Sequence, residues 1–302
     1  MAQPVMHCVI LTIYITGFLL FGGVFPVFAD GSGDTSCEEL HFTGLCFSPY
    51  LYGKNPDMGD TVNEQDIESL LQVVQPHTTW IRTYGTENGL ENAGRIAHSL
   101  NMSVMMGAWI NDDKRVNENQ LKNLITAAKA GDVDIAAIGN EMLHRNTVSD
   151  DELVSYIKRF KEEVPDVPVT CVDTYDEMIE HPKIIDAVDV VAINIFPYWE
   201  GVSITDALDV TKDRYEKVKK AANGKEVIIG EMGWPSAGSA TGAALPSDEN
   251  AYWYLKESTS WAEHEGIQYF FLEAYNQPWK KESDVGPHWG IWDENEQMKY
   301  EC

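Results

Sequence analysis

Val227 to Ser236 reads VIIGEMGWPS, and this stretch decides the fold class. Val227, Ile228 and Ile229 are β-branched and apolar, the composition of a strand covered on both faces, as in a parallel sheet. Gly230 then lets the backbone approach a neighbour closely, and Glu231 stands where the apolar run ends. A carboxylate at the end of a buried strand is costly unless something uses it. Gly233, Trp234 and Pro235 follow at once, a bend that sets a large aromatic beside the acid. Taken alone, the stretch fits a functional acid and a solvated loop glutamate equally well.

The same design occurs earlier. Val133 to Glu141 reads VDIAAIGNE: a short apolar run, a glycine, then Asn140 and Glu141. In a barrel of alternating strands and helices the strand ends meet at one face, so carboxylates far apart in sequence become neighbours. A pair of carboxylates is what cleavage of a glycosidic bond needs.

From Phe42 onward, short apolar runs alternate with helical patterns. Strands are expected at 43–47, 80–83, 103–108, 135–138, 167–172, 188–193, 227–230 and 269–272. Helices are expected at 64–74, 90–100, 118–130, 151–164, 204–222 and 251–265, and Ser149 before three acids makes a good helix start. Eight alternations predict a single α/β domain, a (β/α)8 TIM barrel, rather than an open doubly wound sheet. The segment after the last strand is rich in Gly, Pro and Trp, so the eighth helix is expected to be short or irregular. Polar and aromatic residues gather just past the strands: Ser48 and Tyr50, Arg82 and Tyr84, Trp109, Asn140 and Glu141, Asp173 and Tyr175, Asn194 and Tyr198, Glu231 and Trp234, Glu273 and Tyr275.

With 48 Asp plus Glu against 22 Lys plus Arg, the net charge of −26 argues against nucleic acid and anionic membrane surfaces as partners. It suits a protein acting on a neutral polymer. No zinc-type Cys or His spacing and no phosphate-cradling glycine loop occurs, so neither metal nor cofactor is expected, and the protein is expected to be a monomer. Residues 1–29 lack Asp, Glu, Lys and Arg, and Val27-Phe28-Ala29 resembles a cleavage site. They read as a secretory signal peptide, with an uncleaved anchor over residues 5–28 as the alternative. Residues 30–41 form a leader and 42–302 the catalytic domain; the protein is expected outside the cytosol. Cys46 and Cys171 lie in strand-like runs and read as buried thiols, whereas Cys37 and Cys302 flank the domain as a plausible disulfide.

These motifs resemble glycoside hydrolase family 17, the β-1,3-glucanases and β-1,3-glucan transglycosylases of clan A, across nearly all of residues 42–294. GNE at 139–141 resembles the family's acid/base motif and GEMGWPS at 230–236 its nucleophile motif. GLCFSPY at 44–50, IRTYG at 81–85, NIFPY at 194–198 and FFLEAYNQPWK at 270–280 follow the family's order and spacing. The resemblance implies a retaining mechanism with Glu231 as nucleophile and Glu141 as acid/base. It also implies that Asn140 bonds the sugar, that Arg82 keeps Glu231 ionised and that Tyr198 helps orient it. Tyr50, Tyr84, Asn194, Glu273, Gln277 and Lys280 complete the implied substrate-binding set. Gln277 stands where plant members carry a glutamate, and is implied to lie in the cleft near Glu141.

Nine tryptophans are many, and flat rings suit pyranose stacking. Trp234 and Trp279 are the expected substrate platforms; Trp80, Trp253 and Trp261 read as core. The expected activity is hydrolysis of β-1,3-glucan through a covalent glycosyl-enzyme. A β-1,3-glucanosyltransferase with the same two glutamates is the alternative, and a non-catalytic glucan-binding wall protein a further one.

Overall fold

A computed structural model of the chain describes residues 40–281 and 283–300. The expected signal peptide and most of the leader fall outside the described residues, as do Cys37 and Cys302. Among the described residues, no helix is long and apolar enough to cross a membrane.

Eight parallel strands close into one barrel in sequence order: β1 (Leu45–Cys46), β2 (Trp80–Arg82), β3 (Ser103–Ala108), β4 (Ile135–Asn140), β5 (Val169–Thr174), β6 (Val191–Ile195), β7 (Val227–Met232) and β8 (Tyr269–Phe271). The ring closes where Leu45 of β1 pairs with Phe271 of β8. All six residues of β7 are buried, as a strand between a packed interior and an outer helical ring requires. The expected (β/α)8 barrel is therefore the observed fold.

Helices α1 (Glu64–Val74), α2 (Ala93–Ser99), α3 (Lys114–Ala130), α4 (Asp150–Glu163), α5 (Tyr175–Glu180), α6 (Pro182–Ala187), α7 (Ile204–Ala221) and α8 (Asp248–His264) surround it. Their starts follow side-chain capping. Asn63, Asp113, Ser149 and Ser247 each accept a hydrogen bond from a first-turn N–H of α1, α3, α4 and α8. The Asp113 cap explains why α3 begins four residues before the expected 118. Helices α5 and α6 were not expected: each is too short for a helical period to register, and Pro182 at the first position starts the second. After β8 the described residues form only a 3-10 turn at Gly286–His288, so the last crossover is irregular.

The strands β5 and β6 lie two to three residues later than expected. The Asp189 side chain accepts from the Val169 N–H at 3.1 Å, and its own N–H donates to the Val169 carbonyl, so pairing begins there. The consequence is functional. Asp173 and Asn194 lie within β5 and β6 rather than in the loops beyond them. Cys46 and Cys171 are buried free thiols, as expected.

Gly230 is a place where the barrel tolerates no side chain. A Cβ there would meet the Val172 Cγ1 at 2.5 Å. Gly230→Ala is expected to cost about 1–3 kcal/mol through this overlap, read as a lower midpoint in thermal or denaturant unfolding.

Candidate active site

Arg82 is the centre of the site. It projects from β2, is 1% exposed, and its Nη1 donates to Glu231 Oε1 at 2.6 Å and to the Gly230 carbonyl at 2.8 Å. Its Nη2 donates to Asn140 Oδ1 at 2.6 Å, and the Tyr84 ring lies 4.7 Å from the guanidinium carbon. Burial alone would favour losing the proton, but the charge and hydrogen bond of Glu231, together with the neighbouring Tyr84 and Cys46, outweigh it and raise the Arg82 pKa. The guanidinium therefore stays charged, and Glu231 has a fixed cation against one oxygen.

The polar chain continues to the second carboxylate. Asn194 Nδ2, from β6, donates to Glu141 Oε1 at 2.8 Å and to Asn140 Oδ1 at 3.3 Å. Glu231, Arg82, Asn140, Asn194 and Glu141 thus form one continuous network across β7, β2, β4 and β6. Glu141 follows β4 with φ +52, and Gly139 before it has φ +87. These left-handed residues turn the chain sharply while the Glu141 N–H still donates to the Val172 carbonyl at 2.8 Å. The Glu141 pKa is raised, first by burial and then by the negative charge of Glu231; the Asn194 hydrogen bond works the other way. Two glutamates in one cleft are therefore held differently, one against a cation and one inclined to keep its proton.

The cleft around them has a volume of about 890 Å³ and is lined by the C-terminal ends of the strands and the loops that follow them. Tyr50, Tyr84, Asn140, Asn194, Trp279 and Lys280 of the expected set line it together with the two glutamates. Trp279 is held by its indole N–H, which donates to Gln277 Oε1 at 2.6 Å, and by an edge contact with Tyr50.

Four expected residues stand elsewhere. Trp234 is 1% exposed, donates its indole N–H to the Leu245 carbonyl and packs on Tyr198 and Tyr254, so its ring is wall structure and not a platform. The Tyr198 hydroxyl donates to the Ser239 carbonyl at 2.6 Å, which ties the loops after β6 and β7 and leaves none of its donor for Glu231. Gln277 is fully buried; its amide donates to the Ser48 carbonyl at 2.8 Å, so it faces backbone rather than Glu141. Glu273 lies buried behind the cleft, paired with Lys280 at 2.7 Å, and burial raises its pKa.

Among the cleft residues outside the expected set are Trp109, Trp199 and Arg145. Trp109 lines the cleft with the Arg145 guanidinium 4.6 Å from its ring centre, and Trp199 is 49% exposed at the rim and stacked on Trp289. Both tryptophans carried a signal, since they follow strands β3 and β6 in the sequence. Arg145 carried none, because only the tight turn after Glu141 brings it back to the cleft. Trp253, expected in the core, is 38% exposed on α8.

The model of the BtgE/BtgC glycoside hydrolase domain matches residues 44–290, a span that runs from β1 to beyond β8. The chain belongs to that family. This glycosidase is 28% identical over 275 residues to a glucan 1,3-β-glucosidase of Candida albicans, covering 82% of this chain and 89% of the relative. It is 30% identical over 268 residues to a probable family 17 glucosidase of Saccharomyces cerevisiae, covering 85% and 67%. Among solved structures, a glycoside hydrolase family 17 β-1,3-glucanosyltransferase from Rhizomucor miehei superposes with a TM-score of 0.77 at 27% identity, covering 85% of this chain and 95% of that one. The resemblance to glycoside hydrolase family 17 read from the motifs is therefore confirmed across the barrel.

The support under Trp279 generates a prediction. Gln277→Ala removes one buried hydrogen bond to the indole and leaves the Ser48 carbonyl without its donor. An effect on ring placement of about 1 kcal/mol is expected to raise KM about fivefold with kcat little changed. Steady-state kinetics on laminari-oligosaccharides, compared with the unfolding midpoint, checks it.

Proposed function

We propose that the protein is a secreted, monomeric, retaining enzyme that cleaves β-1,3-glucan, with Glu231 as nucleophile and Glu141 as acid/base. The observation that carries this reading is the unbroken network from Glu231 through Arg82, Asn140 and Asn194 to Glu141. Retention requires one ionised and one protonated carboxyl about 5–5.5 Å apart. The Arg82 guanidinium lies against Glu231 at 2.6 Å, while burial and the Glu231 charge favour the protonated form at Glu141.

In the first step Glu231 attacks the anomeric carbon as Glu141 passes its proton to the departing glycosidic oxygen. Glu141, now a carboxylate, then removes a proton from the incoming hydroxyl, which attacks the same carbon and frees Glu231. Asn140, held between Arg82 and Asn194, is placed to bond a sugar hydroxyl beside the nucleophile. Trp279, Trp109 and Trp199 supply flat apolar faces along the cleft. The substrate assignment draws on the Candida albicans relative and on the Rhizomucor miehei neighbour, whose active-site mutant was solved with laminaritriose. Transfer to a sugar is the second reading, favoured by that same neighbour being a glucanosyltransferase. The chain's apolar beginning supports action outside the cytosol.

Product analysis after incubation with laminari-oligosaccharides separates the readings: shorter products alone mean hydrolysis, and longer products mean transfer. Glu231→Gln is expected to abolish turnover on every substrate. Glu141→Gln is expected to lower kcat/KM on laminari-oligosaccharides by about 10²–10⁴ while sparing aryl glycosides whose leaving group needs no proton. Near-normal laminarin cleavage by Glu231→Gln would overturn the assignment.

The pH profile follows with its sign. Glu141 works in its protonated form, and its pKa is raised in the folded protein. The contribution of Glu141 is therefore full below that raised value and is lost as pH rises through it. The alkaline limb of kcat/KM is expected above the ordinary glutamate range and is expected to vanish in Glu141→Gln acting on an activated aryl glycoside.

A further inference from the structure

Asp173 is a fully buried carboxylate on β5, and its hydrogen bonds are all to backbone. Its Oδ2 accepts from the Leu143 N–H at 2.8 Å; its Oδ1 accepts from Thr174 N–H at 2.9 Å and His144 N–H at 3.3 Å. Leu143 and His144 belong to the turn that leaves Glu141. That turn is otherwise held by bonds of its own: Arg145 N–H to the Glu141 carbonyl at 3.0 Å, Thr147 N–H to the Met142 carbonyl at 3.0 Å, the Thr147 hydroxyl to the same carbonyl at 3.2 Å and the Arg145 guanidinium to the Asn140 carbonyl at 2.5 Å. No basic side chain pairs with Asp173 among the described residues.

We propose that Asp173 is a positioning residue for Glu141, fixing the turn that carries the acid and supplying a negative charge beside it. The proposal rests on Glu141 being the acid/base. The physical argument is one of cost. If the turn needed only an acceptor for two N–H groups, a neutral side chain would serve, and burying a carboxylate without a cation is expensive. The three N–H groups offset part of that cost, though burial still raises the Asp173 pKa. A charge kept there acts on its neighbour, and Glu141 is the neighbour whose protonation matters.

The other charges facing Glu141 are few. Glu231 on β7 and Asp173 on β5 favour its protonated form, and Arg145 on its own turn opposes them. Arg82 on β2 reaches it only through Asn140 and then Asn194 on β6, which is neutral. Asp173 in turn faces Glu177 of α5. Removing the Asp173 charge therefore leaves Glu231 as the strongest negative influence on Glu141, with Arg145 opposing it, while Asp176 and Glu200 line the same cleft.

The test is Asp173→Asn, which keeps the shape and one acceptor but removes the charge. On laminari-oligosaccharides kcat is expected to fall about tenfold or more with KM within about twofold. On 2,4-dinitrophenyl β-laminaribioside, whose glycosylation step needs no proton, kcat/KM is expected to fall by less than about threefold. The alkaline limb is expected to move to lower pH. In a Glu141→Gln background, Asp173→Asn is expected to change nothing further on laminari-oligosaccharides. Equal losses on both substrates with an unmoved alkaline limb would overturn the proposal, as would a further loss in that background. Asp173→Ser, which keeps a smaller neutral acceptor, gives a second reading of the same split. If neither variant yields folded protein by circular dichroism, Asp173 serves stability and the positioning role falls. Failure of the underlying reading looks different: Glu141→Gln alone would then cleave laminari-oligosaccharides normally.

Discussion

The pairing of the Arg82 guanidinium with Glu231 is the constraint from which the rest of the site follows. A carboxylate so close to the core carries a desolvation cost of several kcal/mol unless a cation and further donors meet it. Arg82 meets it, but is itself fully enclosed, so its remaining N–H groups need acceptors. The Gly230 carbonyl and the Asn140 side chain supply them for Nη1 and Nη2, and Nε alone is left without a partner among the described residues. That requirement fixes Asn140 at the end of β4, and with it the start of the turn that presents Glu141. The absence of a side chain at Gly230 belongs to the same constraint, since its carbonyl must face inward while Val172 packs against its Cα.

The barrel and its two glutamates were legible because their signals are local and repeated. Each of β4 and β7 announces itself by an apolar run, a glycine and an acid, and parallel strands feeding a common face make distant acids meet. Arg82 and Asn194 were legible for the same reason, as polar residues ending apolar strands. The registers were less so, because Pro168 and Asp189 decide where β5 and β6 begin, and those decisions are made by hydrogen bonds rather than by hydrophobicity.

Side-chain direction was the part the sequence left open. Trp234 and Trp279 both follow strand ends and both read as sugar platforms, yet one turns into the wall against Tyr254 and the other into the cleft. What separates them is the hydrogen bond each indole makes: Leu245 draws one ring behind the loop after β7, and Gln277 holds the other over the opening. Gln277 was placed wrongly for the same reason, since an amide with one donor and one acceptor satisfied internally has no need of the cleft. Arg145 shows the converse, a residue whose contribution arises from how its turn folds back.

The turn after Glu141 has a consequence for how such an enzyme changes its habits. Its backbone is anchored by β5 and by itself, whereas the side chains of His144, Arg145 and Asn146 are exposed. Substituting His144 alters what an arriving sugar meets on the far side of the acid without disturbing the main-chain groups that hold the acid in place, whereas the Arg145 guanidinium also grips the Asn140 carbonyl. Adaptation to new acceptors and retention of the chemistry are thereby assigned to different atoms of the same short turn: side chains drift, while the main chain stays where it is.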